Sequence, residues 1–207
     1  MARRSQTQVA ESRAAILRTA VQEASVRGFE AASIGNLAAE LGMSKSGLIR
    51  HFGDKEQLQI ATFDAGVELF TEHVWRRVEA ERPGLVRLLA LCDAWLDYHT
   101  AADVLPGGCL MTTAVVEFDA RNGRVHETVE HAMRLWHAVL AHEAARAMQD
   151  GDLPADADPA DIAFALNALA SSASTMYRLY ADPAVLARAR RLMRRTLGRL
   201  EDSPAAP

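Results

Sequence analysis

The segment ASIGNLAAELGMSKSGLIRHFGDKEQL, beginning at Ala32, constrains the fold most, because cap and turn residues cut it into short helical pieces. Ser33 is a good N-cap for a helix whose apolar residues are Ile34, Leu37, Ala38 and Leu41. Gly42 ends that helix, and Ser44 caps another containing Leu48 and Ile49. After Phe52-Gly53, Asp54 caps a longer helix, and Gln57 three residues on suits a capping box. Upstream, Ile16, Leu17, Ala20, Val21 and Ala24 place one face of a helix over 9–27, closed by Arg27-Gly28. Two short helices joined by a tight turn at Gly42 make a helix-turn-helix, held together by Ile34, Leu37, Leu41, Leu48 and Phe52.

The exposed side of the second short helix carries Lys45, Ser46, Gly47 and Arg50. A helix entering a major groove about 12 Å wide must present little bulk near its backbone. Ser46 and Gly47 meet that demand, while Lys45 and Arg50 can reach phosphates or guanine acceptors. Ser44 and Ser46 can bond to phosphate or base edges, and the helix beginning at Asp54-Lys55 offers its N-terminal N–H groups to another phosphate. Charge runs the same way: residues 1–55 hold eight basic and five acidic groups, a net of +3, leaving −7 for the rest. That is the balance of a polyanion-binding head on an acidic body.

Every later segment also reads as helix. Leu58 to Val74 forms one running to Pro83-Gly84; Leu85 to about Ala102 is the next. Pro106-Gly107-Gly108 interrupts it before a short helix from Cys109 to Phe118, and Asn122-Gly123 precedes a long one over 125–149. Asp158-Pro159 and Asp182-Pro183 open the last two. With no convincing strand, the expectation is an all-α chain of about nine helices. It divides into a basic arm over 1–8, a DNA-binding domain over 9–54, a helical domain over 55–201 and a disordered tail over 202–207. The start MARRSQTQ shows no secretory pattern, and no apolar run approaches a membrane span. Two cysteines, Cys92 and Cys109, fit a reduced intracellular setting.

The stretch ILRTAVQEASVRGFEAASIGNLAAELGMSKSGLIRHFGDKEQL resembles the N-terminal domain of the tetracycline-repressor (TetR) family. The RGF closing the first helix, the S-I-x-x-L-A-x-x-L-G-M-S turn and the HFGDKE tail carry the resemblance, and PGGC followed by VVEFD resembles a subgroup of these regulators. It implies DNA contacts at Ser33, Ser44, Lys45, Ser46, Gly47, Ile49, Arg50, His51 and Lys55. Where the family often has threonine, a phosphate-contacting aromatic and histidine, this chain has Gly47, Ile49 and Arg50, so an operator does not transfer from relatives. The resemblance also implies a homodimer with one recognition helix per half-site of a palindromic duplex. The arm residues Arg3 and Arg4 are candidates for added phosphate contacts.

In the body, the helix over 160–181 is apolar nearly all round and needs a cover on both sides. A second subunit supplies it most simply, so dimerisation is expected through the last two helices. The final helix carries arginines at 188, 190, 191, 194, 195 and 199, read as a solvated face above that seam. Aromatic, sulfur and polar groups at Phe70, Trp95, His99, Met111, Trp136, Phe164 and Asn167 are candidates for an effector pocket for an apolar or aromatic small molecule. His126-Glu127-Thr128-Val129-Glu130-His131 has one residue too many for a zinc helix motif, turning the second histidine about 140° away from the first. No metal, cofactor or catalytic set is expected. The expectation is a cytoplasmic, non-enzymatic transcriptional regulator, a repressor released by ligand. The alternative is a dimeric DNA-binding protein controlled by thiol oxidation or a protein partner.

Overall fold

The computed structural model describes residues 6–101 and 105–198, so Arg3, Arg4, Arg199 and the tail over 202–207 lie outside the described residues. Among the described residues there are nine α-helices and no strand: α1 (Gln6–Arg27), α2 (Ile34–Glu40), α3 (Lys45–Phe52), α4 (Lys55–Phe70), α5 (Leu85–Tyr98), α6 (Leu110–Phe118), α7 (Arg124–Gln149), α8 (Pro159–Tyr180) and α9 (Ala184–Thr196). The expected caps are present: Ser33 Oγ accepts from Asn36 N at 3.2 Å, and Ser44 Oγ from Gly47 N at 3.1 Å. At α4, Asp54 Oδ1 accepts from Gln57 N at 2.8 Å. The Gln57 amide turns to the Asp54 carboxylate at 3.3 Å, whereas the Asp54 N–H bonds to Phe52 O, so the reciprocal half of the capping box is not made.

Two helix boundaries differ from the sequence expectation. The fourth helix stops at Phe70 and passes into a π-helical turn, Thr71–Trp75, closed by Arg76 N donating to Thr71 O at 2.9 Å. The next helix ends at Tyr98, short of the expected 102. Apolar spacing alone does not separate an α-turn from a π-turn, since both keep an apolar side chain on the buried face.

The helices pack as two units. Among the described residues the first unit holds 6–69, 101 and 105–131, joining α6 and the start of α7 to the helix-turn-helix. Its core is built from Ile16, Ala20, Leu37, Ala38, Leu48, Phe52 and Leu58. A second cluster sets the Phe29 ring edge-on to Phe118, with centroids 5.4 Å apart. α6 is tied to α1 at both ends. Gly107 N donates to Ser25 Oγ at 3.0 Å, and Glu117 accepts from the N–H groups of Phe29 at 2.7 Å and Glu30 at 3.0 Å.

Among the described residues the second unit holds 70–100 and 132–198. Leu88, Leu91 and Leu96 of α5, Ala163 and Leu166 of α8 and Met193 of α9 lie within its core. Glu143, buried on α7, accepts from Gly84 N at 2.7 Å and pairs with Arg87 Nη1 at 2.9 Å. The arginine face of α9 is less solvated than the sequence suggests. Arg190 bonds Asp93 at 2.8 Å and Asp97 at 2.9 Å, and Arg194 bonds Asp93 at 3.1 Å.

Gly107 tests the α6 clamp. A Cβ there would stand 1.7 Å from Ser25 O, inside the α1 backbone. Gly107→Ala therefore forces α6 off α1 and costs at least about 3 kcal/mol, beyond ordinary overpacking. A loss of less than about 1 kcal/mol in urea unfolding would contradict this contact.

Candidate nucleic-acid interface and effector site

α3 is a helix with two chemically different sides. Leu48 and Phe52 are buried, and Arg13 locks that side to α1 by lying 4.3 Å over the Phe52 ring and donating from Nη1 to His51 O at 2.6 Å. The opposite side exposes Lys45, Ser46, Ile49 and Arg50. Neither Lys45 nor Arg50 is paired with an acid among the described residues. Gly47 keeps this side low: a Cβ would come 3.2 Å from Ser44 Oγ and press on the cap. The N-terminus of α3 is thus fixed in position, with an exposed serine and lysine in its first turn.

The structure gives the nominated residues different tasks. Ser33 is half-buried and occupied as the α2 cap. Ser44 caps α3 and sits 3.1 Å from Ser46 Oγ, so it holds the helix that presents its neighbours. His51 is half-buried, its ring 6.3 Å from that of Phe52. Lys55 is engaged by Glu30, which Arg121 also holds at 2.8 Å. The hydrogen bonds from Lys55 and then Arg121 keep the Glu30 carboxyl below its usual pKa. Nothing in the sequence near Lys55 signals this competition, because Glu30 and Arg121 arrive from distant segments.

In the second unit, three of the nominated effector residues meet. Phe70 lies edge-on to Trp95 at 5.7 Å and to Trp136 at 4.9 Å, and the two indoles are 5.0 Å apart. Tyr98 completes the cluster at 5.6 Å from Phe70. His99 is 4 % exposed, and neither ring nitrogen makes a well-formed hydrogen bond; the Trp136 Nε1–H also lacks an acceptor among the described residues. Burial pushes the His99 pKa down to about 4, against a smaller opposing pull from the Ala170 backbone, with Arg178 adding to the fall. Asn167 is half-buried on α8. Met111 is buried in the first unit, on α6. Phe164 departs from the expectation, since its ring is 67 % exposed. A helix apolar all round does not reveal from sequence which of its rings face outward.

Cys92 and Cys109 are both buried, and burial pushes the Cys92 thiol up to about 12 and the Cys109 thiol upward as well. His126 and Glu130 stand 3.9 Å apart as a surface pair. Among the described residues no helix is long and apolar enough to cross a membrane, and no group of three or more His, Cys, Asp or Glu could hold a metal.

A capped two-helix motif that buries one side of its second helix and exposes a small, basic side defines a helix-turn-helix DNA-binding protein. Residues 16–62 match the model of the family described as bacterial regulatory proteins, tetR family, and residues 84–193 match that of the tetracyclin repressor-like C-terminal domain. The chain belongs to the TetR family of transcriptional regulators.

Solved structures agree. A TetR transcriptional regulator from Chloroflexus aurantiacus J-10-FL has the same fold, with a TM-score of 0.85 at 22 % identity over 94 % of this chain and 98 % of that one. A putative regulator from Saccharomonospora viridis, solved with choline, shares it at a TM-score of 0.76 and 19 % identity over 91 % and 96 % of the two chains. AibR, solved with isovaleryl coenzyme A and operator DNA, is 26 % identical over 79 % of this chain and 85 % of its own, with a TM-score of 0.64. No curated protein matches the chain.

Two outcomes follow from this geometry. Glu30→Gln removes the acid that occupies Lys55, so DNA affinity at low salt should rise a few-fold; unchanged affinity would remove Lys55 from the interface. For His99, the unfolded chain binds a proton below about pH 6.5 that the folded chain refuses until about pH 4. The stability present above pH 6.5 is therefore lost progressively down to pH 4, by up to about 3 kcal/mol. Urea midpoints at pH 7 and pH 5 should differ more in the parent than in His99→Phe.

Proposed function

We propose that this chain is a homodimeric transcriptional repressor that leaves a palindromic operator when a small apolar or aromatic effector binds its second unit. The observation that carries the reading is the exposed side of α3, where unpaired Lys45 and Arg50 flank small residues on a helix fixed by its cap and buried side. In a duplex, Lys45, Ser46 and Arg50 meet phosphates and base edges, with Gly47 and Ile49 against the groove wall. Lys55 exchanges Glu30 for a phosphate. Ser33, Ser44 and His51 complete the backbone contacts, the two serines chiefly by holding the helix N-termini.

Dimerisation is supported by apolar side chains left on the surface of α8 and α9: Phe164, Leu179 and Tyr180 are more than half exposed, and Leu192 lies on the last helix. Exposed large apolar groups on adjacent helices are what an interface between copies covers. Effector binding is supported by the aromatic cluster of Phe70, Trp95 and Trp136 beside His99, with Asn167 as a further candidate contact. A buried imidazole and indole that lack good partners gain hydrogen bonds from a ligand bearing an acceptor oxygen. AibR, which was solved with both an acyl coenzyme A and operator DNA, offers a precedent for pairing the two activities. The ligand acts by favouring one of two arrangements of the heads, and must bind them with different affinity. Thiol control is the weaker reading, because buried thiols with raised pKa react slowly with oxidants. No catalytic step is assigned, and the site of action is the cytoplasm, where the operator resides.

Selection of bound duplexes from a random pool should return a palindrome. On that palindrome Lys45→Ala should weaken binding and lower the slope of log affinity against log salt by about one contact. An unchanged slope would remove Lys45 from the interface. Thermal-shift screening of neutral aromatic ketones should find compounds that stabilise the parent and not Trp136→Phe.

A further inference from the structure

Beside the helix-turn-helix, the first unit carries an open cavity of about 280 Å³ that the preceding reading leaves unused. Its walls come from the first two turns of α4, the end of α6, the turn between α6 and α7, and the first turn of α7. Gln59 reaches it from α4. This side chain is 6 % exposed, and its Nε2 has no hydrogen-bond acceptor among the described residues. A buried amide donor left unpaired in a polar cavity marks a place where an acceptor binds.

The remaining polar lining is mostly donors, with the Glu56 carboxylate and the His126 imidazole also part of it. Lys55 and Arg121 contribute a charged ammonium and guanidinium, and Asn122 an amide. The N-terminus of α7 begins at this wall and adds partial positive charge, whereas that of α4 is capped by the Asp54 carboxylate. The acids nearby are already engaged. Glu30 holds Lys55 and Arg121, Glu117 accepts from the backbone of Phe29 and Glu30 and lies 3.9 Å from Arg121, and Glu56 faces Arg124 at 3.6 Å. His126 has its Nδ1 against Phe118 O at 2.9 Å and its Nε2 3.9 Å from Glu130.

We propose that this cavity is a second binding site, for a compact oxyanion of the phosphate class, whose oxygens accept from Gln59 Nε2 and from Lys55 and Arg121 drawn away from Glu30. The anion takes over from Glu30 the cations that Glu30 now neutralises, and it occupies Lys55 while bound. Site occupancy and operator binding then oppose each other through one lysine. Binding to the DNA-free chain does not depend on the effector reading.

The test is titration of the DNA-free protein with inorganic phosphate by calorimetry, at fixed ionic strength set with sodium chloride. Saturable binding in the low millimolar range is expected, weakened at least tenfold in Gln59→Leu and in Arg121→Gln. In chloride alone Gln59→Leu should melt no lower than the parent, because it removes an unmet donor, while the rise in melting temperature on adding phosphate disappears. If phosphate gives no more heat than chloride, the free-anion site is overturned. Should Gln59→Leu then weaken duplex binding in chloride, the cavity receives the DNA backbone phosphate instead. Equal phosphate binding by the parent and both variants would likewise overturn the assignment.

Discussion

The carboxylate of Glu117 fixes the turn that leads from α1 into the helix-turn-helix. It accepts from two successive N–H groups, Phe29 and Glu30, at the point where the chain leaves α1 through Gly28 at φ 84°. That left-handed conformation favours glycine, and the space a side chain would need is taken by Glu117 itself, 2.8 Å from an added Cβ. The turn so fixed leads directly to Ser33 and the two short helices. At the opposite end of α6, the Gly107 backbone rests against Ser25. One short helix therefore braces both the last turn of α1, at Ser25, and the turn that follows it, at Phe29 and Glu30, and the helix-turn-helix follows directly from that brace.

Electrostatics around the same turn divides the cations into two kinds. Lys45 and Arg50 project from α3 without acidic partners among the described residues, so a polyanion meets them at no cost in broken ion pairs there. Lys55 and Arg121 share Glu30, and their charge becomes available only when a competing anion arrives. Exposed ion pairs of this kind are worth little in water, which makes the exchange easy and sensitive to salt. Fixed and conditional positive charge are thus combined within one small unit.

The second unit works by exclusion of water. Phe70, Trp95, Tyr98 and Trp136 meet edge to face, and beside them the His99 imidazole is held neutral by burial. Polar groups are scarce there, so each one without a good partner weighs heavily on what can bind. Elsewhere in the unit, buried charge is matched, as Glu143 is by Arg87 and the Gly84 N–H. The contrast between the satisfied and unsatisfied polar groups distinguishes structural from candidate binding positions.

The sequence by itself determined what depends on neighbours a few residues apart. Ser33, Ser44 and Asp54 start helices, Gly28 and Gly42 stop them, and the pattern of Leu37, Leu48 and Phe52 pairs them, because caps, breakers and apolar periodicity are local. The helix-turn-helix, the all-α class and the small basic side of α3 were readable on that basis. Only the tertiary structure decided that α6 belongs with the DNA-binding head, that Glu30 occupies Lys55, that Phe164 faces outward while Trp95 and Trp136 meet, and that Gln59 opens into a cavity. Those facts join residues up to about ninety positions apart. A one-dimensional pattern states which side of a helix is apolar, but only the packed chain states what that side meets.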